Sequence, residues 1–365
     1  MPKTHSTRLR YSTEQGFSLV ELTVVLLLIT LLASVAVRST NGLGFQVRHE
    51  QTKERLEQIK QAIIGNPNRT INGQSDILGF VADMGRLPTC LRELVENYNC
   101  TTAAANPNGT TDTLTKLWAG WRGPYLSISG NPADADAFSD GWGNVSANGN
   151  YGWHFDSSGA PDLILQSLGK NQQSGAGDTG YDEDYPPSQP TLSTVDWRVN
   201  VSSITVNVQA SPLVLTTTGA CSDIIHTTKT NCTDNGKTWT ESTTAPIPQD
   251  LCLNLYYRTA GGINRTASAP ASITEDGRTH SLSFNDMGGC SDTSHKSKVA
   301  CEANGKIWTA PLAVPIGQAA IDIRKSDGDC DPSDTANNPL YPATQDGPIP
   351  IVISPKKPLL TILTW

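Results

Sequence analysis

Charge is the scarcest ingredient of this chain: only 17% of its residues are Asp, Glu, Lys or Arg, and they sum to a net charge of -8 with a pI near 5.2. With no basic surplus there is nothing to release counterions from a nucleic acid, so a partner bound through phosphate neutralisation is excluded. The sustained heptads of a coiled coil and the Gly-X-Y period of collagen are missing too. Catalytic signatures are equally scarce. The chain has no Gly-x-Ser-x-Gly, no His-Glu-x-x-His and no phosphate loop, and its six His do not group with nucleophiles, so no enzyme is indicated. Aromatics are few, at 6%, yet the apolar content is ordinary for a folded protein and argues against disorder. What the chain does have is 31 Gly, 23 Pro and long Thr, Ser and Asn stretches, which favour β-rich, loop-heavy architecture. Its 365 residues suggest about two to three domains.

Long hydrophobic runs are absent but for one. Residues 17–37 contain a single ionisable group, Glu21, and as a helix they would extend about 31 Å, enough to cross a bilayer. Lys3, Arg8 and Arg10 precede the run. By the positive-inside rule they hold the N-terminus in the cytoplasm. The expectation is a single-pass inner-membrane protein whose C-terminal region lies in the periplasm, there or in an extracellular filament. An ordinary secretory signal peptide is the competing reading, with Ser34-Val35-Ala36 as the cleavage site and a secreted or periplasmic module left behind. Glu21 weighs against it, because a carboxylate inside an apolar helix costs about 2.5–3.5 kcal/mol on insertion scales unless neutralised.

The hexapeptide Gly16-Phe17-Ser18-Leu19-Val20-Glu21 resembles the cleavage and methylation motif of type IV prepilins and type II secretion pseudopilins. The resemblance implies that residues 1–16 are a cytoplasmic leader, that a prepilin peptidase cuts after Gly16, and that Phe17 becomes the methylated N-terminus. The new amine would lie four residues from Glu21, about one helical turn away, and would be charged at pH 7. In an assembling filament, that amine on one subunit could pair with Glu21 of another for on the order of 4 kcal/mol at an effective dielectric of 20. Glu21 would then set the register between pilin or pseudopilin subunits. Loss of Lys3, Arg8, Arg10 and Glu14 with the leader removes a net +2 and leaves -10.

Residues 45–64 place Val47, Leu56, Ile59, Ile63 and Ile64 mostly at helical spacing, ahead of a stop at Asn66-Pro67. Gly42 and Gly44 interrupt the pattern, as a weak spot or as a segment that extends under tension. Three later motifs resemble, in order, those of the major pseudopilin of type II secretion. They are Asp83-Met84-Gly85-Arg86-Leu87-Pro88-Thr89, Trp121-Arg122-Gly123-Pro124-Tyr125-Leu126 and Asp140-Gly141-Trp142-Gly143-Asn144. Leu87 replaces the family's aromatic and Gly141 its proline. The likeness covers residues 17 to about 187 and implies a pilin-like domain over 38–187. Residues 153–156 and 162–169 read as two strands of a small antiparallel sheet, with His154 a half-buried strand residue.

The loop 169–186 combines four Gly with Asp178, Asp182, Glu183 and Asp184, a mixture of turn glycines and hard oxygen donors that suits Ca²⁺. The related pseudopilins bind calcium here, and the resemblance carries that role to Asn171 and Asp182, with Asp178 and Asp184 as further ligands. A solvated acidic loop is the alternative.

From 188 to 365 short alternating strands follow one another, at 195–201, 204–208, 251–258, 279–284, 319–324 and 359–365, as in a β-sandwich. Inside this half the pattern Cys-Ser-Asp-x-x-His-x-x-Lys-x-x-Cys-x-x-Asn-Gly-Lys-x-Trp-Thr occurs twice, from Cys221 and from Cys290, in cassettes spanning 219–245 and 288–311. Asp, His and two Cys offer zinc ligands. Outside the cytoplasm, two Cys eleven apart favour a disulfide, worth about 3 kcal/mol to a unit too small for its own core. The pairs Cys221/Cys232, Cys290/Cys301, Cys90/Cys100 and Cys252/Cys330 follow from proximity and from what is left over. Trp239 and Trp308 either plug their cassettes or stack on sugars.

The fold expected is therefore α+β. A pilin-like long N-terminal helix with a small antiparallel sheet carries a C-terminal all-β, sandwich-like domain with two disulfide cassettes. The function expected is that of a minor pilin or pseudopilin subunit. A carbohydrate- or surface-binding adhesin with an ordinary signal peptide is the alternative.

Overall fold

In the computed structural model the chain is a mixture of helices and mostly antiparallel sheets. The structure describes residues 16, 18–66, 69–71, 74–75, 77–107, 109–175, 178–200, 205–209, 217–243, 249–268, 270–273, 278–283, 289–292, 298–309, 313–326, 334–354 and 360–363.

Helix α1, Leu19–Ile64, begins at a reciprocal cap: the Glu21 amide donates to Ser18 Oγ at 3.2 Å, and the Ser18 amide donates to Glu21 Oε2 at 2.9 Å. It runs through Gly42 and Gly44 without a break. Gly65, at φ 79°, closes it one residue before Asn66-Pro67. The distal part of α1 is buried through Leu56, Ile59 and Ile63, whereas its first part is exposed along its whole described length.

Single-pass placement in an inner membrane is overturned by this structure. Among the described residues no helix is long and apolar enough to cross a membrane. The apolar first part of this helix carries Glu21, a charge whose burial in hydrocarbon costs about 2.5–3.5 kcal/mol.

The first core gathers Leu56, Ile59 and Ile63 of α1 with Phe80, Val81 and Met84 of α2 (Phe80–Met84) and with Leu91 and Leu94. Leu165 joins it from the hairpin of β1 (His154–Asp156) and β2 (Ile164–Gln166). Trp197 belongs to this core, at the end of α3 (Thr194–Trp197). The strand expected over 195–201 is thus half helix. Ser193 and Asp196 cap one another, the Ser193 amide and hydroxyl each donating to Asp196 Oδ2 at 2.8 Å, and only Arg198–Asn200 is extended.

The second core draws its side chains from strands of two sheets. The five-stranded sheet has the order β5 (Gly262–Ala267), β4 (Gln249–Thr259), β8 (Gly317–Lys325), β9 (Ile349–Ile353), with β6 (Ala271–Ile273) also on β4. In the three-stranded sheet β3 (Thr205–Gln209) is central, with β7 (Thr279–Ser283) antiparallel on one side and β10 (Leu360–Leu363) parallel on the other. Strand alternation sends Leu251, Leu253, Leu255, Ile321, Ile323, Ile351 and Ile353 from the larger sheet towards Val206, Val208 and Leu282 from the smaller.

The halves meet closely. Helix α2 packs on β4 and β8. Gly85, at φ 66°, brings its Cα so close to Arg258 that a Cβ would lie 2.6 Å from that residue's carbonyl carbon. Arg258 is buried, and it donates to the carbonyl oxygens of Trp118 and, at 2.9 Å, of Gln318.

Candidate functional site

The N-terminal residues singled out by the sequence stand apart from both cores. Gly16 is exposed, and Phe17 lies outside the described residues. Glu21 is exposed, and its carboxylate is held at its own helix start by the Ser18 cap. Around and beyond it Leu19, Val20, Leu22, Leu27 and Leu32 remain 56–79% exposed. The described part of this helix therefore presents aliphatic side chains with no protein packed over them.

At the other end of that exposed segment an aromatic cluster ties the acidic loop to α1. Phe45 meets Tyr181 at 5.8 Å and Trp142 at 6.2 Å between centroids, and His49 meets Tyr185 at 5.2 Å. The Lys170 ammonium sits 4.8 Å from the Phe45 ring. Burial, helped by the Lys53 charge, holds the His49 pKa below its ordinary value. Trp142 belongs to the turn 140–144. There Asp140 accepts from the amides of Trp142 and Asn144, from the Asn144 side chain and from the Ser167 hydroxyl. The turn rests on α1 through the Gly141 amide, which donates to Thr52 Oγ1 at 3.0 Å. A Cβ at 141 would overlap the Arg48 carbonyl oxygen, so a proline or any larger residue does not fit this packing.

Within the loop, Asn171 and Asp178 meet directly, the amide nitrogen donating to Asp178 Oδ2 at 2.9 Å. Asp184 lies beside them. Burial is the largest influence on its carboxyl and raises its pKa; the Asp178 charge pushes the same way, while bonds from the Gly175 amide and the Ser174 side chain oppose it. Its Oδ1 is buried without a hydrogen-bond partner among the described residues. Asp182 is not drawn into this group. It ends the short 3-10 turn Gly180–Asp182, and its carbonyl backs onto Gly169. Among the described residues no set of three His, Cys, Asp or Glu side chains is gathered tightly enough to hold a metal by themselves.

Each cassette folds as a hairpin with a helix in its loop: Thr217–Cys221 pairs with Trp239–Thr243 around α4 (Lys229–Asp234), and Gly289–Cys290 with Trp308–Thr309 around α5 (Lys298–Ala303). The correspondence extends to single bonds. The Thr238 amide donates to Ser222 Oγ and the Ile307 amide to Ser291 Oγ; Lys237 pairs with Asp223 at 3.7 Å and Lys306 with Asp292 at 3.8 Å. Disulfides join Cys221 to Cys232 and Cys90 to Cys100. Cys252 and Cys301 are also disulfide-bonded, and Cys330 lies outside the described residues. Zinc ligation by Cys221 and Cys232 needs thiolates, which this bond removes. The Trp239 indole stands so close to Gly219 that a Cβ at that position would overlap its ring.

Of two further buried carboxylates, Asp322 is marked by no sequence motif, whereas Asp83 opens the first of the three pseudopilin-like motifs and its partners lie in the second. On the outer face of the larger sheet Asp322 accepts from Asn254 Nδ2 at 2.8 Å, Tyr256 OH at 3.0 Å and Arg324 Nε at 3.0 Å. At the seam Asp83 accepts from Tyr125 OH at 3.0 Å, with Arg122 3.8 Å away. Burial raises the Asp83 pKa despite Arg122 and Arg258. The one signal for Asp322 in the sequence is the insertion of Asp322 and Arg324 between isoleucines in β8.

The chain matches no protein-family model, no curated protein and no solved structure.

Proposed function

We propose that this protein is a structural, non-enzymatic subunit of a pilin-class filament, a type II secretion pseudopilus or a type IV pilus, and a minor one given its large C-terminal half. The observation that carries the reading is the exposed first part of α1, where aliphatic side chains line a helix that no other described element covers. A single such helix is poorly solvated by water. Bundled with the same helix from other copies, each buried Leu, Val or Ile contributes about 1.5–3 kcal/mol. The hexapeptide Gly16 to Glu21 supplies the processing step: a prepilin peptidase cuts after Gly16, and the Phe17 amine of one subunit draws the Glu21 carboxylate of another out of its Ser18 cap. The finer architecture belongs to the same reading: a pilin-like helix and small sheet, carrying a sandwich-like domain that displays two cassettes.

Calcium fits the acidic loop through Asp178, Asp184 and Asn171. The unpartnered Asp184 Oδ1 and the adjacent Asp178 carboxylate are hard donors that a divalent cation would satisfy, with loop carbonyls completing the shell. Bound there, calcium neutralises the like charges that otherwise repel.

The test is N-terminal sequencing of the mature protein together with recovery from sheared filaments. Methyl-Phe17 is expected, and Glu21→Ala is expected to be processed normally yet to fall in the sheared fraction. A mature protein beginning at Val37 would sink the filament reading and leave the secreted binding module.

A further inference from the structure

We propose that the cleft between the loop 112–117 and the outer face of β8 and β9 binds an aliphatic carboxylate, either a free acid or the carboxyl-terminal residue of a peptide. The cleft has a volume of about 490 Å³, within the usual size range of small-ligand sites, and it lies where the two halves of the chain meet. Its walls are chemically divided. Leu117, Pro348, Pro350 and Val352 supply an apolar side, and Lys116 and Gln318 supply the polar end.

Both polar groups are turned out as donors. Gln318 accepts on its side-chain oxygen from Arg258 Nη2 at 3.4 Å, and its amide nitrogen has no hydrogen-bond partner among the described residues. Lys116 Nζ donates to the Thr113 carbonyl at 2.7 Å, which fixes the side chain while leaving further ammonium protons. Asp112 is the acid beside it. Its Oδ1 accepts from the amides of Leu114 and Thr115 and from the Thr115 hydroxyl, so that oxygen is committed to the loop. The buried Arg258 guanidinium behind Gln318 is faced by the Asp83 carboxylate, so Lys116 is the cation offered at the cleft mouth. An anion is the ligand such an end selects.

A second, independent observation is conformational. Lys116 stands at φ 59°, in the left-handed region that a lysine occupies only under strain. Two backbone bonds hold it there, Lys116 N to the Asp112 carbonyl at 3.0 Å and Asp112 N to the Leu117 carbonyl at 2.8 Å. Glycine would satisfy this backbone without strain, so a lysine here costs stability and places a cation at the mouth of the cleft. Strain of this kind concentrates at binding sites.

The experiment is titration calorimetry on the full chain with hexanoate, with N-acetyl-Gly-Leu bearing a free carboxylate, and with hexanol and the peptide amide as uncharged controls. Saturable binding of at least one carboxylate is expected, at least tenfold weaker for its uncharged control. Saturation by hexanoate alone identifies a free acid as the ligand, and saturation by the peptide alone identifies a chain terminus. Lys116→Gly is expected to weaken binding at least tenfold while the melting temperature holds or rises, and Lys116→Arg is expected to retain binding. Absence of saturable binding by either carboxylate overturns the proposal. So does binding that Lys116→Gly leaves unchanged, or hexanol binding as tightly as hexanoate.

Discussion

Replacing Gly141 by alanine tests how the turn 140–144 is seated on α1. The added methyl would overlap the Arg48 carbonyl oxygen and stand 2.9 Å from Thr52 Oγ1, and both belong to a helix pinned by the first core. The turn must therefore lift. Lifting it breaks the Gly141 to Thr52 hydrogen bond, worth about 1 kcal/mol, and strains the charge-assisted bonds from Arg55 Nη1 to the Ser139 and Asp140 carbonyls, worth about 1.5–3 kcal/mol. Overpacking of this kind costs about 1–3 kcal/mol in its own right, and the terms overlap because one displacement relieves part of each. A loss of about 3–5 kcal/mol is expected. The internal control is Gly143→Ala, two residues on. Gly143 has φ 80°, but a Cβ there would meet nothing within 4 Å among the described residues, so only left-handed strain of about 1–2 kcal/mol applies. Urea unfolding followed by tryptophan fluorescence reads both, since Trp142 and Trp153 flank the site and Trp153 Nε1 donates to the Phe138 carbonyl. If Gly141→Ala costs no more than Gly143→Ala, the account of this contact is wrong.

Three further outcomes follow from buried or cross-linked groups. Asp322→Ala leaves the buried Arg324 without its carboxylate, and a loss of about 3–5 kcal/mol is expected in denaturant unfolding; a change under 1 kcal/mol would show that the network is not holding the sheet. Cys221→Ser with Cys232→Ser is expected to cost about 3 kcal/mol and to expose only the first cassette to limited proteolysis, leaving the second intact. Because burial raises the Asp83 pKa above 3.8, the fold favours its protonated form: this group's contribution is best at pH below 3.8 and declines as pH rises through the folded value. Asp83→Asn removes that decline, so the stability difference between variant and parent should move in the variant's favour with rising pH, and the opposite slope refutes the assignment.

Much of the local order is legible in the amino-acid pattern. The cassette repeat is visible because each copy is a closed unit, with its cysteines, turn glycine and Asp–Lys pair all within about twenty residues. Leu56, Ile59 and Ile63 mark the buried face of α1 through their helical spacing. Residues 195–197 mislead because the alternation Val195-Asp196-Trp197 fits a strand, while the Ser193–Asp196 cap, a pair of side-chain bonds, selects a turn of helix. The acidic loop is recognisable by composition, but its grouping is not: Asp184 joins Asp178 and Asp182 stays outside, a distinction set by how Gly169, Gly175 and the Tyr181 backbone fold the loop.

Composition and pattern alone determined that this chain is acidic, that it folds with both helix and sheet, that it carries one aliphatic stretch with a carboxylate near its start, and that Cys90/Cys100 and Cys221/Cys232 close short loops. These are properties of neighbours along the chain, governed by periodicity and short-range closure. Only the tertiary structure decided that the two halves share a seam through α2, Gly85 and Arg258, that Asp322 and Asp83 are buried with partners, and that Lys116 guards a cleft against β9. The seam and the cleft join residues more than a hundred positions apart, and such pairs are chosen by three-dimensional packing that no local pattern encodes.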